Sequence, residues 1–424
     1  MKSALGTASA FIYFMLVLLH KGRIDFWLYF SCMSVLFAFY VYGNINTKFK
    51  LLQILFWTVL FHFLFLFYIP VLSDDVYRFI WDGQMTINGQ NPYLFLPSEY
   101  THPIIGLLEK LNSPNYYSLY PPLNQHFFAV TAWFTKGSIF QNIIALRLVL
   151  ICAGIANTLL VYRIASELKL EEKKKLRMTA LYALNPFVII ETAGNLHFEG
   201  LMLMFILFAY LFFLKYQSAI RSAIFFGMAV SIKLIPLILL PLIWKRLGFV
   251  KGVQFIASVV AVNILFFIPF YEPEIFSNVF NSMDLYFHKF EFNASLYYVL
   301  REFGYTLVGY NLISFIGPGL ALCSLFVILS ITFKKGDLPN VSIYILMVYL
   351  LCATTVHPWY LITIIGVSMF TDYRFPIVWS FLVTVSYYAY QFNPIEESYL
   401  LIFIEYAIVL AIFYYEWKRK RALF

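Results

Sequence analysis

The chain has 424 residues, of which 62% are hydrophobic and 12% are charged, and its mean hydropathy is +0.77. A soluble domain carries about a quarter charged residues, so this composition excludes a soluble enzyme. The net charge of +8 does not indicate nucleic acid as a partner, because Lys and Arg also collect in the cytoplasmic loops of membrane proteins. The sequence contains no P-loop and no glycine-rich phosphate motif, so any group that the protein transfers must arrive already activated.

Apolar runs recur along the whole chain and predict an all-α fold. About 20 apolar residues are needed to cross a bilayer as a helix. The longest runs cover residues 4–19, 51–71, 143–162, 201–214, 253–270, 312–333 and 399–415. The first run lacks a small-residue cleavage site, so we interpret it as a retained helix and not as a signal peptide. We therefore expect one domain over residues 1–424, a polytopic membrane bundle of about 11 to 13 transmembrane helices.

The distribution of basic residues predicts an orientation in the membrane. Basic clusters at residues 169–177, 245–251 and 418–421 are assigned to the cytoplasm, together with both termini. The first outer segment would then cover about residues 73–141, and the second about residues 271–305.

This orientation requires unusual behaviour of two stretches. Residues 123–134 must stay in the outer segment or enter the membrane only partly, and residues 219–244 must return to the side that they left. Lys233 and Pro236 would break the second stretch into two half-helices, which membrane proteins tolerate where the break lines a cavity. A single crossing by residues 219–244 is the alternative.

Two adjacent carboxylates, Asp74 and Asp75, follow an early apolar run directly. Their mutual repulsion and the apolar boundary both disfavour ionisation, so the pair is costly unless it has a function. Ser73 or Asp74 is a good N-cap for a following amphipathic helix, and both aspartates could merely cap that helix. Alternatively, one carboxylate is a general base, and its neighbour tunes it or orients a substrate. Arg78, one helical turn further on, could pair with either carboxylate or with a phosphate.

Polar and aromatic motifs follow in both outer segments. Tyrosine-rich turns at residues 88–93 and 116–123 suit a sugar or a lipid headgroup, but they also suit an ordinary interface. A polar cluster at residues 194–199 marks another outer helix junction, and a structural role explains it equally well. We expect substrate contacts from six side chains: Tyr77, Tyr93, Tyr120, Asn195, His197 and Glu199.

Two further residues are candidates for binding a phosphate. Lys233 lies within an apolar run, and a buried ammonium needs an anionic partner. That partner could be a lipid phosphate or an internal carboxylate. His357 begins a His-Pro-Trp-Tyr motif at an outer membrane edge and could hydrogen-bond a phosphate. Trp359 and Tyr360 in the same motif are typical of an interfacial aromatic belt.

The order of these motifs resembles the GT-C superfamily of integral-membrane glycosyltransferases, especially the polyprenol-phosphate-mannose-dependent mannosyltransferases with their bacterial and GPI branches. In chain order the motifs are the acidic pair, Tyr-Arg at 77–78, Gly-x-Asn-Pro-Tyr at 89–93, Tyr-Pro-Pro at 120–122, Asn-Pro at 185–186, Gly-Asn-x-x-x-Glu at 194–199, Lys-Leu-x-Pro at 233–236 and the motif of His357. The resemblance implies a helical bundle whose first outer loop carries interfacial helices and the catalytic aspartate. It favours Asp74 over Asp75 as the base and places Lys233 near the donor phosphate.

The function implied by this resemblance is sugar transfer at the outer face of a membrane, here expected to be the bacterial inner membrane. A sugar, by resemblance mannose, would pass with inversion from a polyprenyl-phosphate donor to the hydroxyl of a glycolipid or glycan acceptor. Lys233, Arg78 and His357 would stabilise the departing phosphate. No cofactor is obligatory, although the acidic pair could bind a divalent metal weakly.

Two alternatives belong to other functional classes. A polymerase or ligase of lipid-linked glycans would also work at the outer face, but we expect an arginine-rich outer loop there, and the outer segments hold few arginines. A secondary transporter would suit a broken helix with an intramembrane Lys. No inverted repeat is detectable in the sequence, however, and the acidic residues concentrate in the outer segments.

Overall fold

The computed structural model describes residues 2–46, 48–100, 104 and 106–421. Four residues of the predicted first outer segment, 101–103 and 105, lie outside the described part. Within the described residues the chain forms helices and no strand, and Phe292 forms an isolated parallel bridge with Thr355.

The bundle is built from helices of very different lengths. The first nine are α1 (Lys2–Leu19), α2 (Phe26–Asn46), α3 (Leu51–Leu64), α4 (Asp75–Ile87), α5 (Pro122–Thr135), α6 (Ile139–Glu167), α7 (Glu172–Ala183), α8 (Pro186–Ile189) and α9 (Glu199–Tyr216). The others are α10 (Ala219–Val230), α11 (Leu240–Leu247), α12 (Phe249–Phe267), α13 (Ile275–Lys289), α14 (Leu296–Val308), α15 (Ile313–Thr332), α16 (Leu338–Cys352), α17 (Leu361–Ser368), α18 (Phe375–Leu382) and α19 (Tyr399–Arg421).

Several of these helices are long and apolar enough to cross a membrane. Within the described residues there are six: Arg23–Asn46, Ile139–Glu167, Glu199–Tyr216, Phe249–Phe270, Ile313–Thr332 and Tyr399–Arg419. Five shorter apolar helices accompany them in the same part of the chain. The predicted fold class, an all-α polytopic membrane bundle, is confirmed, and the protein is an integral membrane protein. The number of crossings stays a prediction, because the shorter helices need not all span the bilayer.

The outer surface of the bundle suits lipid. On α15, Phe315, Leu322 and Phe326 are 72%, 69% and 72% exposed, although such side chains avoid water. The interior holds two large apolar clusters, and Met204 of α9 and Ile235 pack against both of them. The chain near these two residues therefore joins the two halves of the interior.

The segment after α10 is broken, as the sequence predicts. Helix α10 ends at Val230, a turn follows, and a short 3-10 helix (Ile235–Leu239) leads into α11. Pro236 contributes to the break because it has no N–H and its ring clashes with a regular helix. Whether the segment returns to its starting side stays a prediction.

The carbonyl groups released by the break are satisfied by α5. The N–H of Leu123 donates to the Ser231 carbonyl at 3.1 Å, and Asn124 Nδ2 donates to the Ile232 carbonyl at 2.6 Å. The stretch predicted to stay outside or to enter partly is thus a helix whose first turn supports the broken segment, next to Lys233.

Candidate active site

The acidic pair lies at the start of α4. Asp74 immediately precedes the helix, yet its carboxylate makes no capping hydrogen bond. Instead it forms an ion pair with Arg23, which lies in the turn between α1 and α2. The N–H of Asp75 donates to Ser73 Oγ at 3.3 Å, so Ser73 supplies the local polar contact. The interpretation that both aspartates merely cap α4 is therefore wrong for Asp74.

Asp75 faces a different environment from its neighbour. Its Oδ1 accepts a hydrogen bond from Asn112 Nδ2 at 2.8 Å. Burial raises the pKa of Asp75, while the Asn112 hydrogen bond and the positive charges of Lys233 and Arg23 oppose that rise; Asp74 adds to it. A carboxyl group with a raised pKa is better matched to proton abstraction near neutral pH.

Arg78 is bound to another carboxylate than those of the acidic pair. Its Nε donates to Asp82 Oδ1 at 2.7 Å, and its Nη1 donates to the carbonyls of Ser113 and Tyr116 at 3.2 and 2.7 Å. The expected pairing of Arg78 with either acidic neighbour is wrong, because Asp82 lies one turn further along α4 and is fully buried with it. A contact of Arg78 with a phosphate stays a prediction.

Two predicted tyrosines belong to the walls of the outer loop. The Tyr93 hydroxyl donates to the Tyr120 carbonyl at 2.6 Å, and the Tyr93 carbonyl accepts from Asn278 Nδ2 at 3.1 Å. Asn91 Nδ2 donates to the Phe270 carbonyl at 2.7 Å. The Asn-Pro-Tyr turn thus joins the first outer segment to the second.

The third tyrosine, Tyr77, is only half-buried on α4, with Lys110 Nζ 5.4 Å from the centre of its ring. The rings of Tyr77 and Tyr120 are both partly exposed. Their contact with a substrate, like that of Tyr93, stays a prediction.

Lys233 has an internal carboxylate as its partner. Its ammonium forms an ion pair with Glu199 at the start of α9 and lies 5.7 Å from the centre of the Tyr360 ring. The Lys233 side chain is 18% exposed, and that of Glu199 is fully buried. Of the two partners that the sequence left open, the carboxylate is therefore present. An ammonium has three donors, so a phosphate contact is still compatible with this pair.

Three rings form a stack beside Lys233. The Trp359 indole lies between His197 and His357, with centroid distances of 3.6 and 4.5 Å, and Phe292 extends the stack beyond His357 at 5.1 Å. Trp359 is 5% exposed, so its interpretation as an interfacial belt residue is wrong. Burial, assisted by the charge of Lys233, lowers the pKa of His357 to about 3, so its imidazole is neutral. A hydrogen bond from His357 to a phosphate stays a prediction.

The Gly-Asn-x-x-x-Glu motif follows a π-helical turn over Ile190–Gly194. Asn195 Nδ2 donates to Glu191 Oε2 at 3.1 Å, and the His197 N–H donates to the Glu191 carbonyl at 3.0 Å. Arg147 Nε donates to the Ala193 carbonyl at 2.6 Å. Asn195 therefore orients the chain that carries His197, and a direct contact of Asn195 with a substrate stays a prediction.

The structure thus brings Asp75, Glu199, Lys233, His197 and His357 into one region. Sequence reasoning missed three residues around this region: Arg23, which pairs with Asp74, Asn112, which binds Asp75, and Glu191, which accepts from Asn195 and from the His197 N–H. Glu191 carries a signal that could have found it, since it is a carboxylate within an apolar stretch.

A metal ion has no evident set of ligands. In the part of the chain that the structure describes, no group of three or more His, Cys, Asp or Glu side chains could hold one. Asp74 is already bound to the guanidinium of Arg23. Weak binding of a divalent ion by the acidic pair stays a prediction.

Comparisons with known proteins connect this site to a family. Residues 11–247 match the model of the MptA_B family, described as alpha-(1->6)-mannopyranosyltransferase, N-terminal domain. Over 202 residues the chain is 26% identical to GPI mannosyltransferase 1 of Candida albicans (strain SC5314 / ATCC MYA-2876). The aligned region covers 47% of this chain and 44% of that protein. The match thus spans less than half the length of this curated relative. No solved structure matches the chain. Because the family model covers more than half of the sequence, the chain belongs to the MptA_B family of mannopyranosyltransferases.

Proposed function

We propose that this protein transfers mannose from a polyprenyl-phosphate donor to the hydroxyl of a glycolipid or glycan acceptor at the outer face of the membrane, with inversion. The observation that supports this best is the proximity of a carboxylate with a raised pKa, Asp75, to the positive charge of Lys233. Such a transfer needs a base to take the proton of the acceptor hydroxyl and a cation to stabilise the departing phosphate. Family membership supports the sugar.

Asp75 is the base in this proposal, although the resemblance favoured Asp74. The Asp74 carboxylate is held in an ion pair by Arg23, so that oxygen is already occupied by a guanidinium. Asp75 is bound by the neutral side chain of Asn112 at one oxygen and is within electrostatic reach of Lys233 and Glu199.

The reaction is a displacement at the anomeric carbon. The acceptor oxygen forms a bond to that carbon on the face opposite the phosphate, and Asp75 takes the proton from the acceptor hydroxyl. The bond between the anomeric carbon and the phosphate oxygen breaks, and its electron pair leaves with the lipid phosphate. Lys233 and the neutral imidazole of His357 stabilise the charge that develops there.

The other candidate residues would hold the sugar and the loop. Glu199 Oε2 is buried and, among the described residues, has no hydrogen bond, so it is available to a sugar hydroxyl. His197, Tyr77 and Tyr120 would contact the sugar or the acceptor from the same region. Tyr93, Asn195 and Arg78 would act through the loops that they hold.

The test is transfer by the purified protein in nanodiscs with a panel of polyprenyl-phosphate sugars and labelled acceptors. We expect turnover with the mannose donor and a product of inverted anomeric configuration. Asp75→Asn should lower the rate by about 10²- to 10⁴-fold, the usual contribution of a general base. The matched control is Glu109→Gln, which neutralises an exposed carboxylate in the same outer segment.

Two results would refute separate parts of the proposal. If the wild-type protein turns over none of the polyprenyl-phosphate sugars, the proposed function is wrong. If transfer occurs but Asp75→Asn retains the rate of Glu109→Gln, only the assignment of the base is wrong.

A further inference from the structure

The turn between α1 and α2 reaches the acidic pair from a distant part of the chain. Asp25 closes this turn, because one of its carboxylate oxygens accepts from the N–H groups of Lys21 and Gly22 at 3.0 and 3.1 Å. The closed turn presents Arg23, which begins a short 3-10 helix (Arg23–Asp25). Arg23 is thus held in a defined place by its own turn.

Arg23 connects three segments of the chain. Its Nε donates to the Val71 carbonyl at 3.2 Å, its Nη2 forms the ion pair with Asp74, and its guanidinium carbon lies 5.3 Å from the centre of the Tyr390 ring. The side chains of Arg23 and Asp74 are 33% and 34% exposed. An ion pair with this exposure contributes little to stability, so its contacts call for another explanation.

The electrostatic environment of Asp75 supplies that explanation. Charged and titratable groups from several elements interact electrostatically with Asp75. They are Asp74 beside it, Arg23, Lys233 after α10, Glu199 of α9, Tyr120 before α5 and Tyr390 near the end of the 3-10 helix 383–391. Asp74 raises the pKa of Asp75, and Arg23 lowers it. The charge of Arg23 therefore opposes the effect of Asp74 on the pKa of Asp75.

We propose that Arg23 is a positioning residue: its ion pair holds the Asp74 carboxylate away from the reacting groups and neutralises the charge of Asp74 beside Asp75. This inference rests on the proposed function, because Asp75 must be the base for its basicity to matter. It separates the roles of two adjacent aspartates. Asp75 takes the proton, and Asp74 anchors the turn that carries Arg23.

The test is the pH dependence of kcat/KM for transfer from the lipid-linked mannose donor. A base works when it is ionised, so kcat/KM falls as the pH drops through its pKa. In Arg23→Gln, the charge of Asp74 is uncompensated, the pKa of Asp75 rises, and the acid limb should move up by roughly 0.5 to 1 pH unit. In Asp74→Asn, the charge of Arg23 is uncompensated, and the limb should move down by roughly the same amount.

The double variant Arg23→Gln/Asp74→Asn removes both charges and should return the limb close to that of the wild type. The matched control is Lys21→Gln, which removes an exposed positive charge from the same turn and should leave the limb in place. A purely structural role for Arg23 would lower the rate at every pH without moving the limb, and Asp74→Asn would not restore it.

The outcomes distinguish this inference from the function on which it rests. Without turnover by the wild-type protein, the proposed function is overturned, and the inference with it. With turnover, an unmoved limb in both single variants, or a double variant that stays shifted, overturns the inference alone. If Arg23→Gln does not fold, Asp74→Asn alone tests the inference: a downward shift of its acid limb supports the inference, and an unmoved limb overturns it.

Discussion

The ion pairs Arg78–Asp82 and Lys233–Glu199 both join a cation to a buried carboxylate, but they differ in how many of the carboxylate oxygens have a partner. In the first, Asp82 accepts from Arg78 at one oxygen, and its other oxygen accepts from Ser118 Oγ at 2.5 Å and Gln125 Nε2 at 2.9 Å. Both carboxylate oxygens are thus satisfied within the protein. The Asp82 carboxylate therefore has no oxygen left for a ligand, whereas Arg78 Nη2 is buried and has no hydrogen bond among the described residues.

The second pair, Lys233 and Glu199, is incomplete. One carboxylate oxygen of Glu199 is buried and has no hydrogen bond within the described residues, and the Lys233 side chain is 18% exposed. A buried acceptor without a partner is costly unless a substrate supplies one. The comparison indicates that the first pair builds the outer loop and that the second is available for chemistry.

The largest effect that we expect comes from breaking the complete pair. Asp82→Asn leaves the buried Arg78 guanidinium without its counter-ion, which should lower the free energy of unfolding by about 3 to 5 kcal/mol. The midpoint of thermal unfolding in detergent, followed by size-exclusion chromatography, measures this loss. Glu99→Gln, at an exposed position of the same loop, is the control. If the Asp82 variant is fully stable but inactive, the Arg78–Asp82 pair has a catalytic role and not a structural one.

Removal of the cation from the incomplete pair should act on the donor, and it should also lower the free energy of unfolding, because it leaves the buried Glu199 carboxylate without its counter-ion. Lys233→Ala would remove the charged hydrogen bond that we propose to the donor phosphate, and we expect the KM for the lipid donor to rise by about 10- to 100-fold. The KM for the acceptor should change far less. Steady-state kinetics at varied donor concentration measure the difference. An unchanged KM for the donor would leave Lys233 with Glu199 as its only partner.

The smallest effect is expected at the edge of the ring stack. His357→Phe keeps an aromatic ring against Trp359 but removes the nitrogen that would bond the phosphate, so the KM for the donor should rise by about 2- to 10-fold. Thermal unfolding should not change, since the stacking surface is retained. Equal losses for donor and acceptor would assign His357 to general packing and not to the phosphate.

The sequence predicted those features that depend on local chemistry. The break near Lys233 followed from a proline and a charge within an apolar run. The acidic pair at a membrane edge indicated Asp74 or Asp75 as a base and favoured Asp74, and this assignment stays a prediction. Both predictions needed only neighbouring residues. The presence of Lys233 and Glu199 in one site was also expected, but their direct pairing was one of two open alternatives.

The features that the sequence did not predict depend on distant contacts. Arg23 and Asp74 are 51 positions apart, and no local pattern links them. The partner of Arg78 could not be chosen either, because carboxylates lie one helical turn away in both directions and only burial decides between them. Trp359 has the composition and position of a belt residue, and only the packed chain shows that it lies between two imidazoles.

The most direct test of the role of Asp75 is to replace the acceptor hydroxyl by azide, a nucleophile that has no proton to lose. With the polyprenyl-phosphate mannose donor, we expect Asp75→Asn to lose transfer to the hydroxyl acceptor but to form a mannosyl azide of inverted configuration. Transfer to the hydroxyl acceptor at the wild-type rate by this variant would show that Asp75 is not the base.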